Sequence, residues 1–179
     1  KSCAILGSSK TIKSDNPSLK AKLTKKDLDS KILINQPIRV VLDSNLSLRP
    51  DKYKFFCGSD KKIVFNSTKN FFHKEKNIDF VKVKTDKSGL NLKEILKILA
   101  SRYEINNLFI EPGARLLNTL LSKNLVDELI LYKSPDIIGK SGLQSFGNFD
   151  QIPKNTNIFV QSLMKLSNDV RIIYKILRK

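Results

Sequence analysis

The chain has no hydrophobic run near the roughly 20 residues that a membrane-spanning helix requires. The apolar stretch at its start, Cys3-Ala4-Ile5-Leu6, is too short for a secretory signal. There is one histidine, His73, with no nucleophile beside it, which argues against a Ser-His-Asp triad. The two cysteines, Cys3 and Cys57, are far apart and lack metal-ligand spacing. Both fall in apolar runs and are expected to be reduced core thiols of a cytoplasmic protein. Also missing are a Walker lysine loop, H-E-x-x-H, G-x-S-x-G, and the zinc-deaminase pattern of H-x-E with P-C-x-x-C. These gaps set aside phosphate-loop NTPases, zinc peptidases, α/β-hydrolases and zinc deaminases, and no metal site is expected.

What the chain does have is positive charge. Lys and Arg number 33 against 17 Asp and Glu, for a net +16. Arginines are few (Arg39, Arg49, Arg102, Arg115, Arg171, Arg178), while lysines are scattered through every segment. A nucleic-acid surface clusters arginine and interleaves exposed aromatics. Scattered lysine beside abundant Asn and Ile fits AT-biased coding instead, and a basic nucleic-acid-binding module is kept as a competing reading. The general positive potential still favours phosphorylated ligands. At 179 residues, with 40% hydrophobic and 28% charged, the chain has one domain's worth of sequence. It lacks an initiator Met, and a core strand begins at Cys3, so it is expected to be a fragment with further sequence before Lys1.

Short apolar runs alternate with helical patterns, which predicts a sheet covered by helices. Strands are expected at 3–6, 38–43, 62–66, 78–83, 108–110 and 126–132. A helix begins after Asn91, with Glu94 completing a capping box. Its apolar face is Leu92, Ile95, Leu96, Leu99 and Ala100, and Asn106-Asn107 ends it. A second helix runs from Ala114 to Ser122 with Leu116, Leu117, Leu120 and Leu121 inward, closed by Asn124. The stretch from Pro135 to Phe149 reads as loop. Ile158–Leu166 and Val170–Leu177 form a hairpin around Ser167-Asn168-Asp169.

Three places offer chemistry. Strand, then Glu111-Pro112-Gly113, then helix sets a helix N-terminus, with its free N–H groups, beside a glycine that lets a ligand approach. The same pattern also describes an ordinary strand–turn–helix with a solvated glutamate. Thr11-Ile12-Lys13-Ser14-Asp15-Asn16-Pro17-Ser18-Leu19 is dense in turn-formers, so Thr11 and Asp15 are either ligand contacts or loop chemistry. Asp43-Ser44 ends the strand beginning at Ile38, and ligands of α/β sheets gather at such carboxyl ends.

Taken in order, these segments resemble one family. Ala4-Ile5-Leu6 followed by Thr11 to Leu19 is similar to its A-I-L … T-V-L-A-D-D-P-x-L. Gln36-Pro37-Ile38-Arg39-Val40-Val41-Leu42-Asp43-Ser44 is similar to Q-P-x-R-V-V-L-D-S. Ile110-Glu111-Pro112-Gly113-Ala114 through Leu125-Val126-Asp127-Glu128-Leu129 is similar to V-E-G-G-A … L-V-D-E-L, and Tyr132 to Gly139 to Y-x-A-P-x-x-x-G. The family is the reductase (C-terminal) domain of the bacterial riboflavin-biosynthesis bifunctional deaminase/reductases.

The resemblance implies an α/β, dihydrofolate-reductase-like three-layer fold. Its central sheet is mixed and mostly parallel, it ends in a β-hairpin, and the family's first strand lies upstream of Lys1. It implies a single reductase domain over 1–179, NADPH as cofactor, and reduction of 5-amino-6-(5-phosphoribosylamino)uracil. Thr11, Asp15 and Ser44 are then cofactor contacts. Gly113, Ala114, Arg115, Leu116, Leu117, Asn118 and Thr119 wrap the cofactor phosphates. Leu19, Lys22 and Glu111 meet the substrate, and Asp15 or Glu111 handles a proton. A homodimer or higher assembly and a zinc deaminase domain upstream are implied as well. Relatives that act on the diamino-pyrimidinone before deamination, or a stand-alone reductase with another substrate, are the alternatives of the same fold. Two departures stand out: Pro112 replaces the first of two glycines and supplies no N–H, and Lys22 replaces an arginine and its bidentate fork. With the upstream strand absent, the isolated chain is expected to be nearly inactive.

Overall fold

The computed structural model describes residues 4–21, 36–136 and 157–177. The chain divides into two compact units, Lys1–Pro112 and Gly113–Lys179.

The first unit is built on a six-stranded sheet. Its strands are β1 (Ala4–Ser8), β2 (Ile38–Leu42), β3 (Lys62–Asn66), β4 (Phe71–His73), β5 (Ile78–Lys82) and β8 (Leu108–Ile110). They lie in the order β4-β5-β3-β2-β1-β8. All neighbours are parallel except β4 and β5, which is the mixed, mostly parallel sheet expected. Val40, Val41, Ile63 and Val64 are all fully buried. Since successive side chains point to opposite faces, the centre of the sheet is covered on both sides, as continuous β-branched runs require. On one face Ile12, Leu19, Phe55 and Phe56 pack with Val41, Val64 and Ile78. Two short strands, β6 (Thr85–Asp86) and β7 (Gly89–Leu90), form a separate ribbon.

Several local expectations change. The turn-rich segment after β1 is a helix, α1 (Ser9–Asp15), because the Ser8 hydroxyl caps the Thr11 N–H and Asn16 ends the helix in the left-handed region at φ 47°. The next helix, α2 (Leu92–Tyr103), is capped by Asn91 through the Glu94 N–H as expected. It stops before Asn106, at Glu104, which takes a left-handed conformation at φ 54°. Leu92, Ile95 and Leu99 are its buried residues; Leu96 is half-buried and Ala100 exposed, so the apolar stripe is narrower than the spacing suggested. Cys57 is an exposed thiol, not a core one, since it follows a single 3-10 turn (Lys54–Phe56) rather than lying in a strand. Cys3 lies outside the described residues.

Two cations are buried near the N-terminal ends of β2 and β3. Arg39, 1% exposed, donates to the carbonyls of Ser18 (3.2 Å), Phe55 (2.6 Å) and Cys57 (2.8 Å), and to the Asp60 carboxylate (3.3 Å). Lys62, 0% exposed, donates to the carbonyls of Gly58, Asp60 and Lys76 at 2.8, 2.5 and 2.8 Å. A buried charge is tolerated only when hydrogen-bonded in this way.

The second unit contains α3 (Ala114–Ser122), β9 (Glu128–Lys133), β10 (Asn157–Leu166) and β11 (Asp169–Leu177). The strands form an antiparallel sheet in the order β10-β11-β9. The hairpin closes as expected, with Leu166 opposite Asp169 across Ser167-Asn168. The strand expected at 126–132 begins two residues later, since Val126 packs with Leu117, Leu121 and Ile176 in this unit's core. Asn124, just past α3, has φ 53°, the left-handed conformation expected of a residue that closes a helix. Residues 137–149 of the expected loop lie outside the described residues.

Candidate active site

Parallel pairing decides which loops share an edge. Register pairs Ser8 with Leu42, Leu6 with Ile110, and Leu42 with Phe65. The segments that follow β1, β2, β3 and β8 therefore all emerge at the sheet's C-terminal edge, where ligands of open α/β sheets bind. Thr11, Ser44 and Glu111, a hundred residues apart at the extremes, thus leave the same edge.

Each is held by local chemistry. Thr11 is in the first turn of α1; its N–H donates to the Ser8 hydroxyl at 3.3 Å, and the two hydroxyls lie 3.0 Å apart. Asp15 stands at the far end of α1, exposed to solvent. Its neighbour Asn16 is tied to another part of the unit, accepting from the Lys54 N–H at 2.8 Å. Asp43 is structural: it is 1% exposed, and its carboxylate accepts from the Ser47 hydroxyl (2.7 Å) and the Leu48 N–H (2.8 Å). That turn presents half-buried Ser44, whose carbonyl accepts from both the N–H (3.0 Å) and the hydroxyl (2.9 Å) of Ser67. Glu111 is exposed, and its own N–H extends the β1–β8 ladder by bonding Leu6.

Leu19 is 5% exposed and belongs to the hydrophobic core of the first unit, with φ 50°. An added Cβ on Gly7 would meet its Cδ1 at 3.3 Å. Its side chain is thus engaged with the core and offers a ligand shape rather than an open contact. Lys22 lies outside the described residues.

In the second unit, α3 opens at Gly113, which caps it without a side-chain bond. The first intrahelical bond from this turn is Leu117 N–H to Gly113 carbonyl. The N–H groups of Ala114, Arg115 and Leu116 precede it, and a helix start of this kind attracts anions. No acidic side chain stands in the first turn. Gly113 has an ordinary extended backbone (φ −75°, ψ 168°), and a Cβ there would meet nothing within 4 Å. Neither backbone strain nor a neighbour among the described residues demands glycine at this position; among them, open space lies beside the amide groups, as a phosphate cradle would need. Further along, Leu117 is buried in the unit's core, and the Thr119 hydroxyl donates to the Arg115 carbonyl at 2.9 Å. Leu116 and Asn118 are half-buried. The residues suited to hold a phosphate are therefore 113–116, at the start of the expected stretch.

Ser67 was not recognised from sequence. It sits in the run Asn66-Ser67-Thr68-Lys69, whose polar residues after a strand were the available signal. Asn66, fully buried, accepts at its Oδ1 from the Thr68 N–H and hydroxyl and the Lys69 N–H. Ser67 also lines a cavity of about 530 Å³ with Lys82, Val83, Lys84, Thr85 and Glu94.

Comparison with known proteins gives a consistent result. The family model described as the RibD C-terminal domain matches residues 1–172. The 5-amino-6-(5-phosphoribosylamino)uracil reductase of Buchnera aphidicola subsp. Acyrthosiphon pisum is 32% identical, over 97% of this chain and 86% of its own. The riboflavin biosynthesis protein RibD of Buchnera aphidicola subsp. Baizongia pistaciae is 29% identical over 97% of this chain but 48% of its own, so the chain spans about half of that longer relative. The solved RibD structure of Acinetobacter baumannii superimposes with a TM-score of 0.80 at 23% identity, covering 98% of this chain and 47% of that one, a likeness of fold.

Proposed function

The chain belongs to the RibD C-terminal domain family, and on that premise we propose that it is the reductase acting on 5-amino-6-(5-phosphoribosylamino)uracil in riboflavin biosynthesis, with NADPH as its cofactor. The observation that carries this reading is the shared edge: Thr11, Ser44 and Glu111 follow three parallel strands and emerge together.

When bound, the cofactor supplies the hydride that reduces the first ribose carbon and opens the sugar. The residues present fit it. The Ala114, Arg115 and Leu116 amides, next to the open space at Gly113, hold a phosphate. Thr11 and Ser44 orient the dinucleotide, which is the positioning work a protein contributes to cofactor chemistry. Glu111 accepts hydrogen bonds from the substrate and holds the proton needed at the opening sugar oxygen; Asp15, a helix length away from the edge, contacts the cofactor. Lys22 meets the substrate phosphate.

The longer RibD relatives support a deaminase domain preceding this one in the same polypeptide, and a cytoplasmic location belongs to the same reading. Strand β10 supports a homodimer. It lies at the edge of its sheet with all ten residues exposed. Asn157 to Met164 carries no charge in a chain of net +16, so it is a strip where two copies can meet without repulsion.

The test is loss of NADPH absorbance when the full-length protein is given the aminouracil substrate or, in a parallel reaction, the diamino-pyrimidinone that precedes deamination. Turnover of the first alone fits the proposal. Turnover of the second instead would move the assignment to the reductases that act earlier, and turnover of neither would end it.

A further inference from the structure

Ser67 lies next to none of the expected site residues in sequence, yet it gives both of its donors to one of them. Its N–H and hydroxyl reach the same Ser44 carbonyl, at 3.0 and 2.9 Å. The N–H bond continues the ladder that runs through Asp43 N–H to Phe65 carbonyl, at 2.9 Å. The hydroxyl bond is additional. Ser67 is half-buried beside an open cavity, so water is available to its hydroxyl; burial does not force this pairing.

Both partners are set in stiff turns. On one side, the buried Asn66 side chain gathers the Thr68 and Lys69 amides and donates to the Lys69 carbonyl at 3.0 Å. On the other, the Asp43 carboxylate fixes Ser47 and Leu48, and the Leu46 N–H returns to the Asp43 carbonyl at 3.1 Å. Ser44 is the residue through which the two turns are joined. A two-donor clamp on its carbonyl fixes the peptide plane that aims the Ser44 side chain from the sheet edge.

We infer that Ser67 is a positioning residue for cofactor binding, acting through Ser44. This rests on the reading of Ser44 as a cofactor contact. Removing one neutral hydrogen bond is worth a factor of roughly 2 to 12 in an equilibrium, and that sets the scale of the test.

NADPH affinity is measured by fluorescence titration of the full-length protein, with a thermal melt for each variant. Ser67→Ala raises the NADPH Kd about fivefold, and Ser67→Thr, which restores the hydroxyl, returns it to near the unaltered value. Thr68→Ala removes a hydroxyl from the same turn that does not touch Ser44; it leaves the Kd unchanged and controls for general loosening. In a double-mutant cycle, Ser67→Ala adds nothing once Ser44 is alanine. If alanine at 67 does not fold, Ser67→Cys, of similar size but a weak donor, carries the same comparison. Normal affinity in Ser67→Ala, or losses that add fully in the double variant, overturns the inference while leaving Ser44's role intact. Normal affinity in Ser44→Ala removes the underlying reading, and the inference with it.

Discussion

Glu111 donates its backbone N–H to the Leu6 carbonyl at 2.9 Å, so the main chain of the proposed substrate contact is a rung of the central sheet. The side chain projects from a fixed base, which general acid–base work requires. Glu111→Gln keeps the rung and the size but removes a group that can give up and take back a proton. It is expected to lower kcat/KM about 100-fold with the melting temperature unchanged. Asp15→Asn, at the exposed end of α1, is expected to cost less than about tenfold, mainly in the NADPH KM, as loss of one hydrogen bond would. Steady-state kinetics on both variants decides between the two carboxylates; a larger kcat loss in Asp15→Asn reverses the assignment.

Gly113→Ala separates a glycine kept for the fold from one kept for a ligand. The protein itself has room for a Cβ there and no positive φ to preserve, and glycine is a modest helix cap. The variant is expected to melt within a few degrees of the unaltered protein while NADPH binding weakens about tenfold, because a methyl group stands where the phosphate approaches. Unchanged binding would show that no ligand comes close to this residue.

Lys62 makes stability depend on alkaline pH. Burial first, and then repulsion from Arg39, bring its ammonium down from 10.5 to about 8. Between those values the unfolded chain binds more protons than the native one at this residue. Stability from Lys62 therefore increases as pH rises from about 8 towards 10.5, and below 8 the burden of the buried charge is constant. Lys62→Met lacks this dependence. Urea unfolding of both proteins across pH 7 to 10 is expected to give a difference that moves in favour of lysine above pH 8; a flat difference contradicts it.

Leu163 is 66% exposed in the middle of β10. A charge on an edge strand opposes pairing with another chain, so, on the proposed homodimer, the unaltered protein is expected to sediment as a dimer and Leu163→Lys as a monomer, without loss of the monomer's thermal stability. A variant that remains dimeric would place the assembly surface elsewhere.

The parts of this fold that were legible in sequence are those dictated by local pattern. The β-branched runs at Ile38–Leu42 and Lys62–Asn66, the Asn91 cap and the Ser167-Asn168 hairpin all followed from periodicity and turn chemistry. The misreadings had physical causes. Helix α1 was hidden because turn-forming residues at its end outweighed its short apolar face, of which Ile12 is the buried residue. Glu104 ended α2 early because a left-handed residue need not be glycine or asparagine. That Leu19 belongs to the hydrophobic core was not legible either, since it lies in a run of turn-formers and takes a left-handed backbone at φ 50°. Arg39 and Lys62 were legible only as strand positions, since a buried cation depends on how the chain folds its carbonyls around it: Arg39 takes them from Ser18, Phe55 and Cys57, and Lys62 from the adjoining turn at Gly58 and Asp60 and from Lys76. Ser67 belongs to the same class: its partner is 23 residues away and is brought near only by parallel pairing of β2 and β3.

Arg39 and Lys62 fasten loops to one end of the strands, while Ser44, Ser67 and Glu111 stand at the other. Inherited changes should therefore sort by which end they strike. Those near the two cations would leave cells with fewer surviving molecules, each of normal speed, whereas those at the opposite end would leave a full complement of slow ones. Dosage would rescue the first group and not the second.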